Sequence, residues 1–389
     1  MRITEVIATP VAVPYVRPER WAYGVRRGLV SVLLEVRTDE GLTGIGEAPA
    51  YPSAEIVTSV VHSLLPLVHG EDPMAVERLM ARIDIVGTWH HVQATSPAIA
   101  GVEMACWDIV GKVCGQPVSA LLGGLVRERA ETICYLGMDT PETMRGLAAE
   151  AAAGGFATMY FKVGADEPGL DVERVAAVRD GAGPQARLRV DANESWSAAH
   201  TIAMDRRLAP YRLEFLEQPV SGRNLAEMAY VRSRTTAPIL ANEASWTRQD
   251  QLAVVTAGAA DAVSVDNQMD GGLLNLKRGA GVCDAAGIPV VKHSLGELGV
   301  ATAAALHVIC STPNFLYANQ AYTSLLADDV LAGDPLDPRD GTLAVPTGPG
   351  LGVELDPDKV ARYAELHRRE GESFSFGDAG GPTPLLPKR

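Results

Sequence analysis

The chain has 389 residues, with 47% hydrophobic and 21% charged content, a soluble globular composition too long for one ordinary core. Its formal net charge of −14 argues against a nucleic-acid binder, whose partner requires a basic face. No apolar run reaches the ~20 residues that cross a bilayer, so a membrane partner is not expected either. The N-terminus, MRITEVIATP, alternates apolar and polar residues like an edge strand and lacks the continuous apolar core of a signal peptide. Five cysteines (Cys106, Cys114, Cys134, Cys283, Cys310) are scattered and show no C-x-x-C spacing. They read as small buried apolar groups in a reduced, cytoplasmic protein.

Residues 1 to about 125 read as an α+β cap. ITEVIATPVAVPY and LVSVLLEVRTDEGLTGIGEAPA give three strands, the last two joined by a turn at TDEG. Helical patterns follow over Ala54 to Val68, Ala75 to Val86 and Pro97 to Cys114. The GLTGIGEA stretch has the wrong glycine order for a dinucleotide loop and sits in a hairpin. Between the first two strands, YVRPERWAYGVRRG reads as a polar and aromatic loop carrying Arg17, Arg20, Trp21, Tyr23, Arg26 and Arg27. Such a loop suits bidentate recognition of a carboxylate, or is a solvated surface segment.

From Glu131 to Asn319 the chain repeats strand and helix. Polar residues close successive apolar runs at Lys162, Asp191, Glu217, Glu243, Asp266, His293 and Asn319, at intervals of 29, 26, 26, 23, 27 and 26 residues. Eight strands with helices between them, each placing chemistry at its C-terminal end, describe a (β/α) barrel with an active-site face. After Asn319 a Gly-, Pro- and Asp-rich stretch is expected to be irregular. PDKVARYAELHRREGE is a final helix and GDAGGPTPLLPKR a poorly ordered tail.

Asp191, Glu217 and Glu243 end consecutive strands at equal spacing. Strands about 5 Å apart would bring three carboxylates to one point, where they need a compensating cation. Hard oxygen donors favour Mg²⁺; the alternative is that each is paired to a barrel Arg or Lys. Lys162, in an apolar setting, is a candidate base, provided burial and a nearby cation lower its pKa from ~10.4 toward 7. Asp266 lies one strand before His293, and a carboxylate on one imidazole nitrogen orients the ring and raises its basicity. Taken singly, such a histidine is more often a satisfied structural one. Together these groups suit removal of the proton α to a carboxylate.

The segments GVEMACWDIVGKVCGQPVSALLGG, VDAN, LEQP, ANE, VDNQMDGG, KHSLGELG and GPGLGVELD resemble the enolase superfamily, in its mandelate racemase/muconate lactonizing enzyme branch. The resemblance implies a modified (β/α)₇β TIM barrel (126–330) under an α+β cap from residues 1–125, completed by about 331–389. It implies one Mg²⁺ per subunit on Asp191, Glu217 and Glu243, and Lys162 opposite His293–Asp266, the mandelate racemase-like pattern shared by many acid-sugar dehydratases. A small-molecule carboxylate substrate and a homo-oligomer are implied with it. Tyr160, Asn193, Asn242, Asn319, Arg20, Trp21 and Tyr23 are further candidate substrate contacts. Three positions depart from the family pattern. Tyr160 replaces the first Lys of Lys-x-Lys, Asn242 stands where muconate-type members place a metal Asp, and Asn319 replaces the Glu that mandelate racemase turns to the substrate. Dehydration of an acid sugar or related hydroxy acid is the expected reaction. Racemisation, epimerisation or cycloisomerisation share its first step, and a non-catalytic binding protein would have lost ligands or bases that are present here.

Overall fold

The computed structural model describes residues 1–22, 24–87, 92–164 and 167–371; Tyr23 and the tail GDAGGPTPLLPKR lie outside them. Strands β1 (Ile3–Trp21), β2 (Gly24–Thr38) and β3 (Thr43–Pro49) form an antiparallel sheet in that order. Their side chains alternate between two cores, as a period of two requires. Val11, Val13, Tyr15, Leu29 and Leu33 join the barrel core, while Ala12, Val30, Val32, Leu34 and Val36 pack under the cap helices. Those helices are α1 (Ala54–Val68), α2 (Val76–Gly87) and α3 (Val92–Cys114). The sheet and α3 touch backbone to backbone. A Cβ on Gly46 would stand 1.9 Å from the Gly101 carbonyl oxygen, and one on Gly44 2.0 Å from that of Ala105, so only glycine fits.

The segment expected as a polar loop is instead the far end of the β1–β2 hairpin. Beyond a register shift between Pro14 and Glu19, Glu19 pairs with Arg26, Arg20 with Val25 and Trp21 with Gly24. Cross-strand pairing there satisfies backbone groups that a loop would leave to water.

A short helix α4 (Val118–Leu121) and strand β4 (Arg129–Glu131) lead into the barrel. Its strands are β5 (Cys134–Leu136), β6 (Thr158–Lys162), β7 (Arg187–Asp191), β8 (Phe215–Glu217), β9 (Ile239–Ala241), β10 (Ala262–Val265) and β11 (Val290–Lys292). Helices α5 (Pro141–Ala153), α6 (Pro168–Ala182), α7 (Ala198–Leu208), α8 (Leu225–Arg232), α9 (Arg248–Ala257) and α10 (Leu273–Ala285) alternate with them, and α11 (Gly299–Cys310) follows β11. The strands form one seven-stranded parallel sheet in sequence order.

The eighth strand expected at NFLYAN is reduced to isolated parallel bridges, Val290 with Phe315 and Thr132 with Asn319. Asn319 N donates to Glu131 O at 2.8 Å, and Gln320 N to Lys292 O at 2.9 Å. These bonds link the two edges of the curled sheet, giving the modified (β/α)₇β barrel. Strand β12 (Thr342–Ala344) pairs antiparallel with β4, and helix α12 (Pro357–Glu370) packs against β1. Four cysteines are buried as expected; Cys114, the last residue of α3, is exposed. Among the described residues no helix is long and apolar enough to cross a membrane.

Candidate active site

Three strands end in register: Lys162 pairs with Asp191, and Asp191 with Glu217. Lys162 Nζ donates to Asp191 Oδ2 at 2.6 Å and to the Tyr160 hydroxyl at 2.9 Å. That hydroxyl donates in turn to Asp191 Oδ2 at 2.6 Å. Asp191 Oδ1 accepts from Asn193 N at 2.8 Å, and Asn193 Nδ2 donates to Glu243 Oε1 at 2.9 Å. Glu243 follows β9 on a turn fixed by Gln218, whose Oε1 accepts from Asn242 N at 2.8 Å and Ala244 N at 3.1 Å. Gln218 itself sits at φ 32°, with Asn193 at 43° and Glu194 at 62°. Left-handed backbone of this kind persists only where surrounding contacts over-determine it.

On the opposite wall, His293 Nδ1 lies 3.0 Å from Asp266 Oδ2, and Asp266 Oδ1 accepts from Gln268 N at 2.7 Å. Asp266 thus fixes the imidazole tautomer and leaves Nε2 for chemistry.

The charges strain against burial. Burial and the Asp191 charge push the Glu217 carboxyl well above the usual range, and the same two causes raise Glu243 to about 8. For Lys162, burial works downward, but Asp191, Glu217 and Glu19 outweigh it and hold the ammonium above its ordinary value. Burial lowers His293 against the opposing pull of Asp266, so the ring is neutral at pH 7 and able to accept a proton.

A cavity of about 120 Å³ brings Lys162, Asn193, Asn242, Glu243 and His293 to one surface, with Trp21 from the cap hairpin. Asp191, Glu217, Asp266 and Tyr160 stand behind them, each at most 1% exposed. Arg20 is not at this cavity; it points to a separate cleft shared with Arg17 and Arg174, because strand alternation sends it to the face opposite Glu19 and Trp21. Asn319 is also turned away. Its Oδ1 accepts from Lys292 N at 2.9 Å, and its Nδ2 donates to Glu131 O and Tyr317 O, both at 3.2 Å, so the side chain is consumed in the barrel seam.

Sequence reasoning missed several groups at the mouth. Gln320, one residue after Asn319, donates through Nε2 to Glu217 Oε1 at 3.4 Å and accepts from Ser294 N at 3.1 Å. Glu19 is 1% exposed and lines the cavity roof. It accepts from the Tyr135 hydroxyl at 2.6 Å and faces Arg26 at 3.8 Å, while Arg26 stacks on Trp21 at 4.9 Å. The signal for Glu19 was an acidic residue between arginines whose period-two neighbour is Trp21.

A family model for the mandelate racemase/muconate lactonizing enzyme N-terminal domain matches residues 3–123, and one for the enolase C-terminal domain-like fold matches residues 143–359. The chain belongs to the mandelate racemase/muconate lactonizing enzyme family. It is 33% identical over 350 residues to the chloromuconate cycloisomerase of Cupriavidus pinatubonensis, across 86% of this chain and 91% of that one. It is 32% identical to a D-galactonate dehydratase of Xanthomonas oryzae pv. oryzae, over 86% and 91% of the two chains. The solved structure of N-succinyl Arg/Lys racemase from Bacillus cereus matches with a TM-score of 0.87 at 28% identity, over 93% of this chain and 98% of that one. This chain is accordingly an enolase-superfamily lyase or isomerase.

Members of this superfamily use Mg²⁺, and the residues here bear on whether one fits. Among the described residues, no group of three His, Cys, Asp or Glu side chains closes on a common point as it stands; Lys162, Tyr160 and Asn193 occupy the inner oxygens instead. Yet Glu217 Oε2, Glu243 Oε2 and Asn242 Oδ1 are buried with no hydrogen-bond partner. Anionic oxygens left unpaired in a dry pocket cost several kcal/mol. An all-oxygen donor set with unmet valence fits a hard divalent cation.

Proposed function

We propose that this family member removes the proton α to the carboxylate of a small hydroxylated acid and most readily completes a dehydration. The observation carrying this reading is the placement of Lys162 and the His293–Asp266 pair on one cavity, with the carboxylates of β7, β8 and the turn after β9 between them. Asp191, Glu217 and Glu243 would hold Mg²⁺, one per subunit, with Asn242 the neighbouring oxygen donor. When bound, the cation supplies charge compensation for the substrate carboxylate and the enediolate formed from it.

The chain's own side chains do the rest. Lys162 Nζ, once released from Asp191 and deprotonated, takes the α-proton from one face, or the neutral His293 Nε2 takes it from the other. Asp266 stabilises the imidazolium that proton capture creates. Where His293 has taken the α-proton, it passes that same proton to the departing β-hydroxyl as water leaves. Tyr160 places a neutral donor rather than a cation beside Asp191, so the positive charge that would favour Lys162 deprotonation has to come from the bound cation. Glu19 and Arg26 offer an acceptor and a donor from the roof, a pairing that suits hydroxyl groups at the distal end of the substrate better than a hydrocarbon.

Racemisation or epimerisation is the second reading, supported by two proton-transfer groups on opposite walls. The free cysteines support a reducing, cytoplasmic setting, and a homo-oligomer is carried by family resemblance. Incubation with Mg²⁺ and a panel of acid sugars and of 2-hydroxy and N-acyl amino acids separates the readings. A 2-keto-3-deoxy product is expected; inverted α-carbon with no loss of water would replace dehydration by racemisation.

A further inference from the structure

The cap reaches the Asp266–His293 pair from behind, through two buried carboxylates that the chemistry at the mouth does not use. Glu103 on α3 has no exposed surface. Its Oε2 accepts from Leu273 N at 2.8 Å and its Oε1 from Leu274 N at 3.0 Å, the first two residues of α10. Trp107 Nε1 steadies Oε1 at 2.9 Å. Glu47 on β3, equally buried, treats α11 in the same way. Its Oε1 accepts from Leu298 N at 2.7 Å and Oε2 from Ala301 N at 2.9 Å, with Ser31 Oγ donating to Oε1 at 2.8 Å. Neither helix caps itself: the N-cap residues Gly272 and Leu298 make no side-chain cap bond. A carboxylate at such an end satisfies orphan N–H groups and meets the positive end of the helix dipole.

Each capped helix follows one member of the pair. Between Asp266 and α10, Gly272 N donates to Asn267 O at 2.7 Å, and Asn267 Nδ2 meets Met104 Sδ of α3 at 3.5 Å. Between His293 and α11, Ser294 N is held by Gln320 and Leu298 N by Glu47. Each loop is therefore stretched between its barrel strand and a cap carboxylate. Both carboxylates rise from the same contact, where the β3 glycines lie against the α3 backbone with no room for a Cβ. A seam that close has little freedom, so it fixes the distance between the two loops.

We propose that Glu47 and Glu103 are positioning residues for the Asp266–His293 pair, holding from the cap the two loops whose separation sets the His293 Nδ1–Asp266 Oδ2 hydrogen bond. The role rests on the proton-transfer function given to that pair above; neither glutamate touches substrate. It means that the cap does more than roof the cavity: it sets the alignment of an acid–base pair carried wholly by the barrel.

The test reads the pair directly and needs no substrate. In full-length protein with ¹⁵N-labelled histidine, the His293 ring resonance is identified by its loss in His293→Asn. Its shift on breaking the pair is defined by Asp266→Asn. Glu103→Gln and Glu47→Gln are each expected to move the resonance toward the Asp266→Asn position. The milder Trp107→Phe and Ser31→Ala, which loosen the same carboxylates, should move it a smaller distance the same way and serve if a glutamine variant does not fold. Asp108→Asn is the control. Asp108 is also buried in the cap and ties α3 to Ile45 N of β3 and to Leu351 N, but it bonds neither loop, and its loss should move His293 less than either glutamine variant does. An unmoved His293 in the Glu47 and Glu103 series, or an equal movement in Asp108→Asn, overturns the proposal. Because this readout is independent of turnover, failure of the α-proton chemistry would show separately, as absent exchange with the His293 resonance behaving as described.

Discussion

Lys162 is caught between two forces. Burial favours the neutral amine, and the carboxylates around it favour the ammonium; in this structure the carboxylates win. A cation held by Asp191, Glu217 and Glu243, as proposed, would weaken that pull and so favour release of the Lys162 proton. Replacing Glu217 with Gln removes an unpaired buried oxygen charge, and calorimetry should then find no divalent binding; an unchanged affinity would remove Glu217 from the metal site. Asp266→Asn should lower turnover by roughly 10²-fold or more with little change in KM, since it removes a proton-transfer aid and no binding contact. A loss confined to KM would make the pair a binding element. At this scale the sequence was legible where residues follow the barrel rhythm: Lys162, Asp191, Glu217, Asp266 and His293 stand at its strand ends. It was not legible where one residue decides which way a side chain turns. Asn319 turns into the seam and Gln320 toward Glu217. Arg20 turns out and Glu19 in, because the register shift after Pro14 resets an alternation that the residue pattern does not mark.

Among the elements, the β1–β2–β3 sheet works as a partition. Beyond the register shift at Ile3/Glu5, buried odd-numbered residues of β1 and β2 feed the barrel core and even-numbered ones the cap core, so it couples the two by packing. Its contact with α3 leaves no space for a methyl group. Gly46→Ala should cost about 3 kcal/mol in denaturant unfolding, because backbone rather than a flexible side chain must give way; a change below about 0.5 kcal/mol would mean the seam is loose. A second tie is His307 on α11. Its Nδ1 accepts from Ser119 N at 3.2 Å and its Nε2 donates to Leu351 O at 3.0 Å, which requires the neutral ring. Burial lowers its pKa to about 4 from an ordinary 6.5, a gap worth about 3 kcal/mol. For a depressed pKa the contribution is complete above pH 6.5 and disappears as pH falls through 4. His307→Gln should therefore be less stable than wild type at pH 7, with the difference narrowing toward pH 4. A constant difference would show that the ring does not titrate. Helices α1, α2, α3 and α12 were legible from their helical residue patterns, although α3 begins at Val92 rather than Pro97. The hairpin end was not, because a segment rich in arginine and aromatics looks like a loop, and the pairing of Glu19, Arg20 and Trp21 with Arg26, Val25 and Gly24 leaves no mark in the residue pattern.

For the whole molecule, burial raises Glu47, Glu103 and Glu297 to about 7, so they act against His307. A raised carboxyl contributes stability that is complete below 4.5 and lost as pH rises through 7. The two windows nearly coincide, and three carboxyls outweigh one imidazole, so stability should fall as pH rises from 4.5 to 7. The barrel closes through bridges rather than a full eighth strand, a distinction invisible in NFLYAN, whose apolar run and position match a strand. The central claim is that two proton-transfer groups face one α-carbon across the mouth. The most direct measurement is α-deuterium incorporation by NMR in D₂O with Mg²⁺, using a substrate that wild type turns over, compared with Lys162→Ala and His293→Asn. The account predicts exchange in wild type, loss of at least ~10²-fold in one variant, and loss of turnover in both. Undiminished exchange and turnover in Lys162→Ala would contradict it.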